Sequence, residues 1–270
     1  MTKASVPHYR GDFVAWQGGC ALIGEGHGPI SSHSHYAIQL AIGAPSGLRV
    51  QFGRDGPWES CAGALVPSRA THSIDVNDCD WSSVLFIEPE TAEGKALTAR
   101  LQGKPGILQE DELAGAVARL ERAWRIERNP DAVREAYLQL VCDVSRTAPR
   151  APSDPRVLAA VEYIRGKVDQ SVSLEEVAKA AHLSPSRFRH LFVEETGMPL
   201  RTYLLWRRLL HVWSLLMEGE SLSSAAHAAG FADSAHLSRT ARSMFGLAPS
   251  MLQMNGPLST AMREGQRHRA

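Results

Sequence analysis

The chain has 270 residues, of which 44% are hydrophobic and 21% charged, the balance of a globular protein long enough for two domains. Lys plus Arg equals Asp plus Glu at 29 each, so net charge announces no nucleic-acid partner, and any such partner must be met by a local arrangement of charge. No apolar run approaches a membrane span and Met1–Arg10 lacks the apolar core of a signal peptide, which points to the cytoplasm and to no membrane contact. Cys20, Cys61, Cys79 and Cys142 lie far apart with no Cys-x-x-Cys pair, and read as free thiols in a reducing compartment.

The first ninety residues read as short strands between turns. Ala37–Ile42, Leu48–Phe52 and Val84–Ile87 are apolar runs flanked by Gly, Pro, Asn or Asp. Arg54-Asp55-Gly56-Pro57 carries a hairpin-turn signal, and Gly18-Gly19 and the Gly24–Pro29 stretch read as further turns. Many short strands with such turns predict a small barrel or sandwich. Within it, His33-Ser-His35 and Gln39 share the parity of one strand face, and Gly63-Ala-Leu-Val-Pro67 leads to His72. These residues resemble the cupin pattern, in which a His-x-His and a carboxylate join a later His; here Gln39 stands where Glu is usual. The expectation is a metal-free barrel whose histidines line or plug an effector pocket. Imidazoles with a carbonyl oxygen can also hold a divalent transition metal, so His33, His35, Gln39 and His72 are the candidate set for either.

From Glu110 the apolar period becomes helical. Leu113, Val117, Leu120 and Trp124 form one stripe. Asn129-Pro130 reads as a cap with Pro at the first helical position, followed by Val133, Tyr137, Leu140, Val141 and Val144. This helical hairpin either packs on the barrel or pairs two subunits. Thr147–Pro155 holds three prolines among polar residues and reads as an interdomain linker. Past Asp154-Pro155 a helix presents Val157, Val161, Ile164 and Val168.

Two similar units follow. Ser173 with Glu176 makes a capping box over an Ala-rich helix, and Ser184-Pro185 restarts a second helix bearing Ser186, Arg187, Arg189 and His190. A long helix from about Pro199 leads to Ser221-Leu222, a second Ala-rich run, a turn at Gly230-Phe231, and Asp233 capping a helix with His236, Arg239 and Arg242. Each unit has the layout of a helix-turn-helix, whose second helix suits the major groove: Arg offers a fork to guanine, and Ser or His can donate to bases or phosphates. Arg187, Arg189, Arg201, Arg207 and Arg208 supply local positive charge around the first unit.

Asp154–Leu252 resembles the DNA-binding domain of AraC/XylS-type transcription regulators, through Ser173-Leu-Glu-Glu-Val-Ala, Leu183–Phe192, Gly197-Met-Pro-Leu, Ala228–Arg239 and the closing Phe245-Gly-Leu-Ala-Pro249. The resemblance implies that Ser186, Arg189 and His190 read bases from the first unit. It implies the same of Ala235, His236 and Arg239 in the second, with Arg187, Thr240 and Arg242 nearer the backbone. RNA polymerase contact is implied in the same way. Two departures stand out. Ala241 occupies an aromatic position equivalent to Phe192, and Ser250-Met-Leu-Gln253 lacks the usual aromatic and Arg, so the second unit is expected to be looser and the first to anchor.

The predicted fold is α+β in two domains: a cupin-like effector barrel (1–92), a helical hairpin and candidate homodimer interface (93–146), a linker (147–155), a tandem helix-turn-helix domain (156–252) and a tail without regular structure (253–270). The expected function is sequence-specific recognition of double-stranded DNA by a transcription regulator, not an enzyme, under control of a small-molecule effector. The alternatives are a metal-dependent cupin enzyme with a helical accessory domain, and a metal or redox sensor using the cysteines.

Overall fold

The computed structural model describes residues 8–146, 153–168 and 170–254, so most of the proline-rich stretch 147–155 and the final sixteen residues lie outside the described chain. The N-terminal half is β-rich: β1 (His8–Trp16), β2 (Gly19–His27), β3 (Pro29–His33), β4 (Ile38–Ala44), β5 (Leu48–Phe52), β6 (Trp58–Cys61), β7 (Gly63–Val66), β8 (His72–Asp75), β9 (Trp81–Ile87) and β10 (Gly106–Leu108). With β11 (Leu252–Met254), contributed by the end of the chain, they form a seven-stranded sheet, β10-β7-β4-β9-β2-β1-β11, and a four-stranded sheet, β3-β8-β5-β6. The expected cupin-like barrel is therefore not closed. Between the sheets lies a core of Ala41 and Ala64 from the larger one with Ile30, Leu48, Val50 and Ile74 from the smaller.

The turns at Gly18 (φ 94°) and Gly28 (φ 96°) use backbone angles that favour glycine. Gly24 and Gly26, read above as turn residues, instead lie inside β2. The reason is close approach: Gly11 and Gly24 are register partners, and a Cβ on either would run into the facing backbone.

Three helices cover the outer face of the larger sheet: α1 (Ala92–Leu101), α2 (Glu110–Glu121), which continues as a π-helical turn over Arg122–Glu127, and α3 (Pro130–Ser145). Asn129 caps α3 by accepting from the N–H groups of Asp131 and Ala132. Sequence reading missed α1, whose apolar residues are three alanines and two leucines. The stripes of α2 and α3 are spent on the sheet: Leu113, Leu120, Trp124, Val133, Tyr137, Leu140, Val141 and Val144 are buried in one cluster with Leu40, Ile42, Leu85 and Ile87. Those faces are thus not free for a second subunit. Asp12, buried in β1, accepts from Trp124 Nε1 (2.7 Å) and Arg128 (3.0 Å), pinning the hairpin to the sheet.

The C-terminal half contains α4 (Pro155–Arg165), α5 (Leu174–Ala180), α6 (Pro185–Thr196), α7 (Leu200–Met217), α8 (Leu222–Ala228) and α9 (Ser234–Phe245). Its core is built on α7, which buries Tyr203, Trp206, Leu209, Val212 and Trp213. After α9 the chain returns to the other half, where β11 (Leu252–Met254) pairs parallel with β1, Tyr9 opposite Leu252. Gln253 and Met254 are thereby strand residues rather than part of a tail. No helix among the described residues is long and apolar enough to cross a membrane.

Candidate nucleic-acid interface and histidine cluster

The two helix pairs α5–α6 and α8–α9 are built alike. Ser173 and Ser221 cap the first helices, accepting from Glu176 N and Ser224 N. The turns match as well: Leu183 N donates to Ala178 O and Phe231 N to Ala226 O, both at 2.9 Å, closing each first helix in the same way. The residue before each of these lies at positive φ, Gly230 at 75° and His182 at 53°. Ser184 and Asp233 then cap α6 and α9, Asp233 accepting from His236 N at 2.6 Å. Burial of Phe188 and Phe192 on α6, and of Leu237, Ala241, Met244 and Phe245 on α9, turns the opposite faces outward.

On α6, Ser186, Arg187, Arg189 and His190 are all exposed. On α9, Ala235, Arg239 and Arg242 are exposed, whereas His236 and Thr240 are half-buried. The His236 ring packs edge-on against Phe231, and the Thr240 hydroxyl donates to His236 O at 3.0 Å. Arg207 leaves the predicted basic surface altogether. It turns inward and donates to Glu88 of the β-rich half at 2.8 Å, while Arg165 of α4 holds the other carboxylate oxygen. Burial pushes the Glu88 carboxyl up, but Arg207 and then Arg165 outweigh it and keep it below its ordinary range.

This seam went unseen in the sequence. Phe86 of β9 lies edge-on to Phe245 of α9 and to Trp206 of α7, and Trp206 stacks on Phe245 at 5.3 Å. Tyr36 donates to Glu90 and meets Tyr203 edge-on. Burial, followed by the nearby charge of Glu88, raises Glu90 to about 7. No motif marks such contacts, because every pair joins residues far apart in the chain.

His33, His35, Gln39 and His72 do converge, though not along a single strand. His33 ends β3, His35 lies in the following loop, Gln39 is in β4 and His72 opens β8. One ring nitrogen of each histidine lies within 4.8 Å of the others. The Nδ1 atoms of His33, His35 and His72 face the backbone oxygens of Ser31, Ala37 and Ala70 at 2.7, 2.7 and 2.9 Å. A carbonyl only accepts, so each Nδ1 carries the proton and each neutral ring presents a lone pair at Nε2. Gln39 Oε1 faces Nε2 of His35 at 2.7 Å and of His72 at 3.2 Å. Burial holds the rings neutral, lowering His33 to about 3 and His72 to about 4, with His35 shifted the same way. Three imidazoles and an amide oxygen are a donor set that fits a divalent transition metal.

A small, mainly apolar opening of about 50 Å³ lies where β1, β2 and β9 meet Ile30 of β3, Leu247 and Leu252. The large opening beside the histidines is a cleft of about 440 Å³ lined by Ser34, His35, Tyr36 and Arg69 from one half and by Met198, Pro199, Thr202 and Met244 from the other. The cysteines are free thiols, with Cys20, Cys61 and Cys79 buried and no two of them joined. Burial raises Cys61 to about 11 and Cys79 to about 12, so neither is a thiolate at neutral pH.

Residues 177–255 match a family described as a helix-turn-helix domain. The transcriptional activator RhrA of Rhizobium meliloti (strain 1021) is 34% identical over 122 residues, 42% of this chain and 37% of that protein. The probable transcriptional regulator LumQ of Photobacterium leiognathi is 29% identical over 92 residues, 34% of this chain and 37% of that protein. The chain thus aligns with well under half the length of these curated relatives. Among solved structures, ToxT from Vibrio cholerae O395 superposes with a TM-score of 0.56 at 12% identity, covering 87% of this chain and 96% of ToxT. ToxT with a bound unsaturated fatty acid, from V. cholerae strain SCE256, gives 0.55 at 12% identity over 93% and 96% of the two chains. The helix-turn-helix match over 177–255, the regulators it aligns with and the fold shared with ToxT, a β-rich half followed by a helical half, support the resemblance to AraC-type regulators.

Proposed function

We propose that the chain is a transcription regulator that binds double-stranded DNA sequence-specifically under the control of a small-molecule effector. The observation that carries this reading is the pair of exposed, Arg-bearing second helices, α6 and α9, held on one long shared helix, α7. Such a connection sets two reading helices at a fixed separation, as successive major-groove segments on one DNA face require. Ser186, Arg189 and His190 contact bases from α6, with Arg187 at the phosphates. From α9, Ala235 and Arg239 contact bases and Arg242 the phosphates, while His236 and Thr240 act mainly by fixing the helix.

The effector seat proposed is the cleft between the halves rather than the space between the sheets. Its volume is that of ordinary ligand sites, and it is lined from both sides. A ligand there alters how Tyr36, Arg69, Met198 and Met244 meet, and so how the helical half is held. The fatty acid bound by ToxT is a precedent for a small organic ligand on this fold.

In vitro selection of DNA by the full-length protein tests the reading, followed by affinity measurements on the selected site. A defined consensus is expected, and Arg189→Ala with Arg239→Ala should lower affinity by at least about tenfold while the fold is retained. Absence of any preferred sequence, or an unchanged affinity in the double variant, refutes it.

A further inference from the structure

Of the residues lining the cleft between the halves, Arg69 is the one that carries a charge, and none is a carboxylate. Burial keeps His35 neutral, and the Tyr36 hydroxyl is committed to Glu90. Ala70 N donates to Pro67 O at 3.1 Å, closing a turn whose third residue, Arg69, lies at φ 67°, where glycine is usual. The Arg69 N–H is fixed on His35 O at 2.7 Å. A strained backbone position is thus held by a residue whose side chain spans the cleft, a combination found at ligand clamps.

On the far side, Arg69 Nη1 donates to Gly197 O at 3.0 Å, and the rest of its donor fork meets no acceptor among the described residues. Gly197 lies two residues before Pro199, the N-cap of α7, which makes no side-chain cap bond. The amides of Leu200 and Arg201 in the first turn therefore have no partner within the helix. Pro199 and Thr202 of that turn line the same cleft. A guanidinium from the β-rich half and the positive end of an 18-residue helix from the other thus face one space with no protein carboxylate between them. Met198 and Met244 add an adaptable apolar wall, and Ser34 and Thr202 add hydroxyls.

We propose that the cleft takes an organic monoanion, a carboxylate on a short apolar body, whose charge is shared by Arg69 and the N-terminus of α7 and whose body lies on Met198 and Met244. A guanidinium fork and a helix N-terminus both bind carboxylate oxygens. One cation suits one negative charge, whereas a phosphate dianion calls for a second cation that the cleft does not offer. The bound anion ties the loop of Arg69 to the start of α7, directly after the first helix-turn-helix unit, and so clamps the two halves together. The proposal rests on the reading of this cleft as the effector seat; DNA binding does not enter its test.

The test titrates the full-length protein, without DNA, by calorimetry and thermal shift. The probes are straight-chain carboxylates from acetate to hexanoate, the primary amides of the same lengths, and inorganic phosphate. At least one carboxylate should bind one per chain, raise Tm, and bind at least about tenfold more tightly than its amide. Arg69→Gln should bring the carboxylate down to the affinity of the amide, and Arg69→Lys should keep part of the preference. Should Arg69→Gln fail to fold, Arg69→Gly is the second arm: its backbone suits φ 67°, and it should lose the same preference. Thr202→Phe, which fills the cleft, should remove binding of carboxylate and amide alike. Amides that bind as tightly as carboxylates, or a preference unchanged in folded Arg69→Gln and Arg69→Gly, overturn the anion and leave the cleft as the seat. Carboxylate binding that survives Thr202→Phe overturns the seat. Binding of phosphate alone, or of no probe, overturns the carboxylate class.

Discussion

The two helix-turn-helix units share caps, turn and helix lengths, yet they sit differently on the molecule. The first meets the β-rich half through groups at its edge: Arg69 donates to Gly197 O, and Lys95 pairs with Glu195 at 3.2 Å. The second meets it through its core. Phe245 stacks on Trp206 and meets Phe86 edge-on, and Gly246 lies against His33. Ala241, where a bulky residue was expected, has no exposed surface, and Phe245 supplies the aromatic contacts to Trp206 and Trp213. Phe188 and Phe192 of the first unit belong to the same buried cluster as Tyr36 and Phe86, so the contrast lies in the direct contacts: polar groups for the first unit, Phe245 and Gly246 for the second.

The largest effect that would break this contrast is at Phe245. Phe245→Ala should cost about 3–5 kcal/mol in denaturant unfolding, and proteolysis should then release the second unit from β3 before the first loosens. Equal release of both units would erase the distinction. Next, Glu88→Gln leaves Arg165 and Arg207 without their buried counter-charge at the seam, and should cost about 3 kcal/mol. For DNA, Arg189→Ala should lower affinity by about 1–3 kcal/mol and Arg239→Ala by less, as read by titration on a selected site. The reverse order would make the second unit the anchor.

The seam also predicts a pH dependence. Glu90 is raised in the folded protein to about 7 from 4.5, so its contribution is fully present below the lower value and is lost as pH rises through the higher. Wild-type Tm should therefore fall relative to Glu90→Gln as pH increases across that window. Parallel Tm curves would show that Glu90 does not titrate there. The smallest effect lies in the turns: Gly230 holds its positive φ without a side chain, but His182 does not. His182→Gly should stabilise the first unit by up to about 1 kcal/mol, whereas Gly230→Ala should destabilise the second.

Much of the helical half was legible because its signals are local. Ser173 with Glu176, Ser184-Pro185, Ser221 and Asp233 mark helix starts within four residues, and each is found capping its helix. The strands around Ile38–Ala44 and Leu48–Phe52 were legible for the same reason, as short apolar runs between turns. Other features were not. The apolar residues of α1 are mostly alanine, a weak signal, and β11 is a three-residue strand paired only with β1, far away in sequence.

The sequence by itself determined where helices begin, which faces of α6 and α9 carry arginine, and that three histidines and a glutamine belong together. Only the tertiary structure decided that Arg207 serves Glu88 rather than a basic surface, and that the stripes of α2 and α3 are used up on a sheet. It also decided that the sheets stay open as a sandwich and that the histidines sit beneath α9. The reason is one of range. Caps and periodicity act between residues a turn or two apart, whereas the partner of a buried charge or an apolar face is fixed only when distant segments compete for the same space.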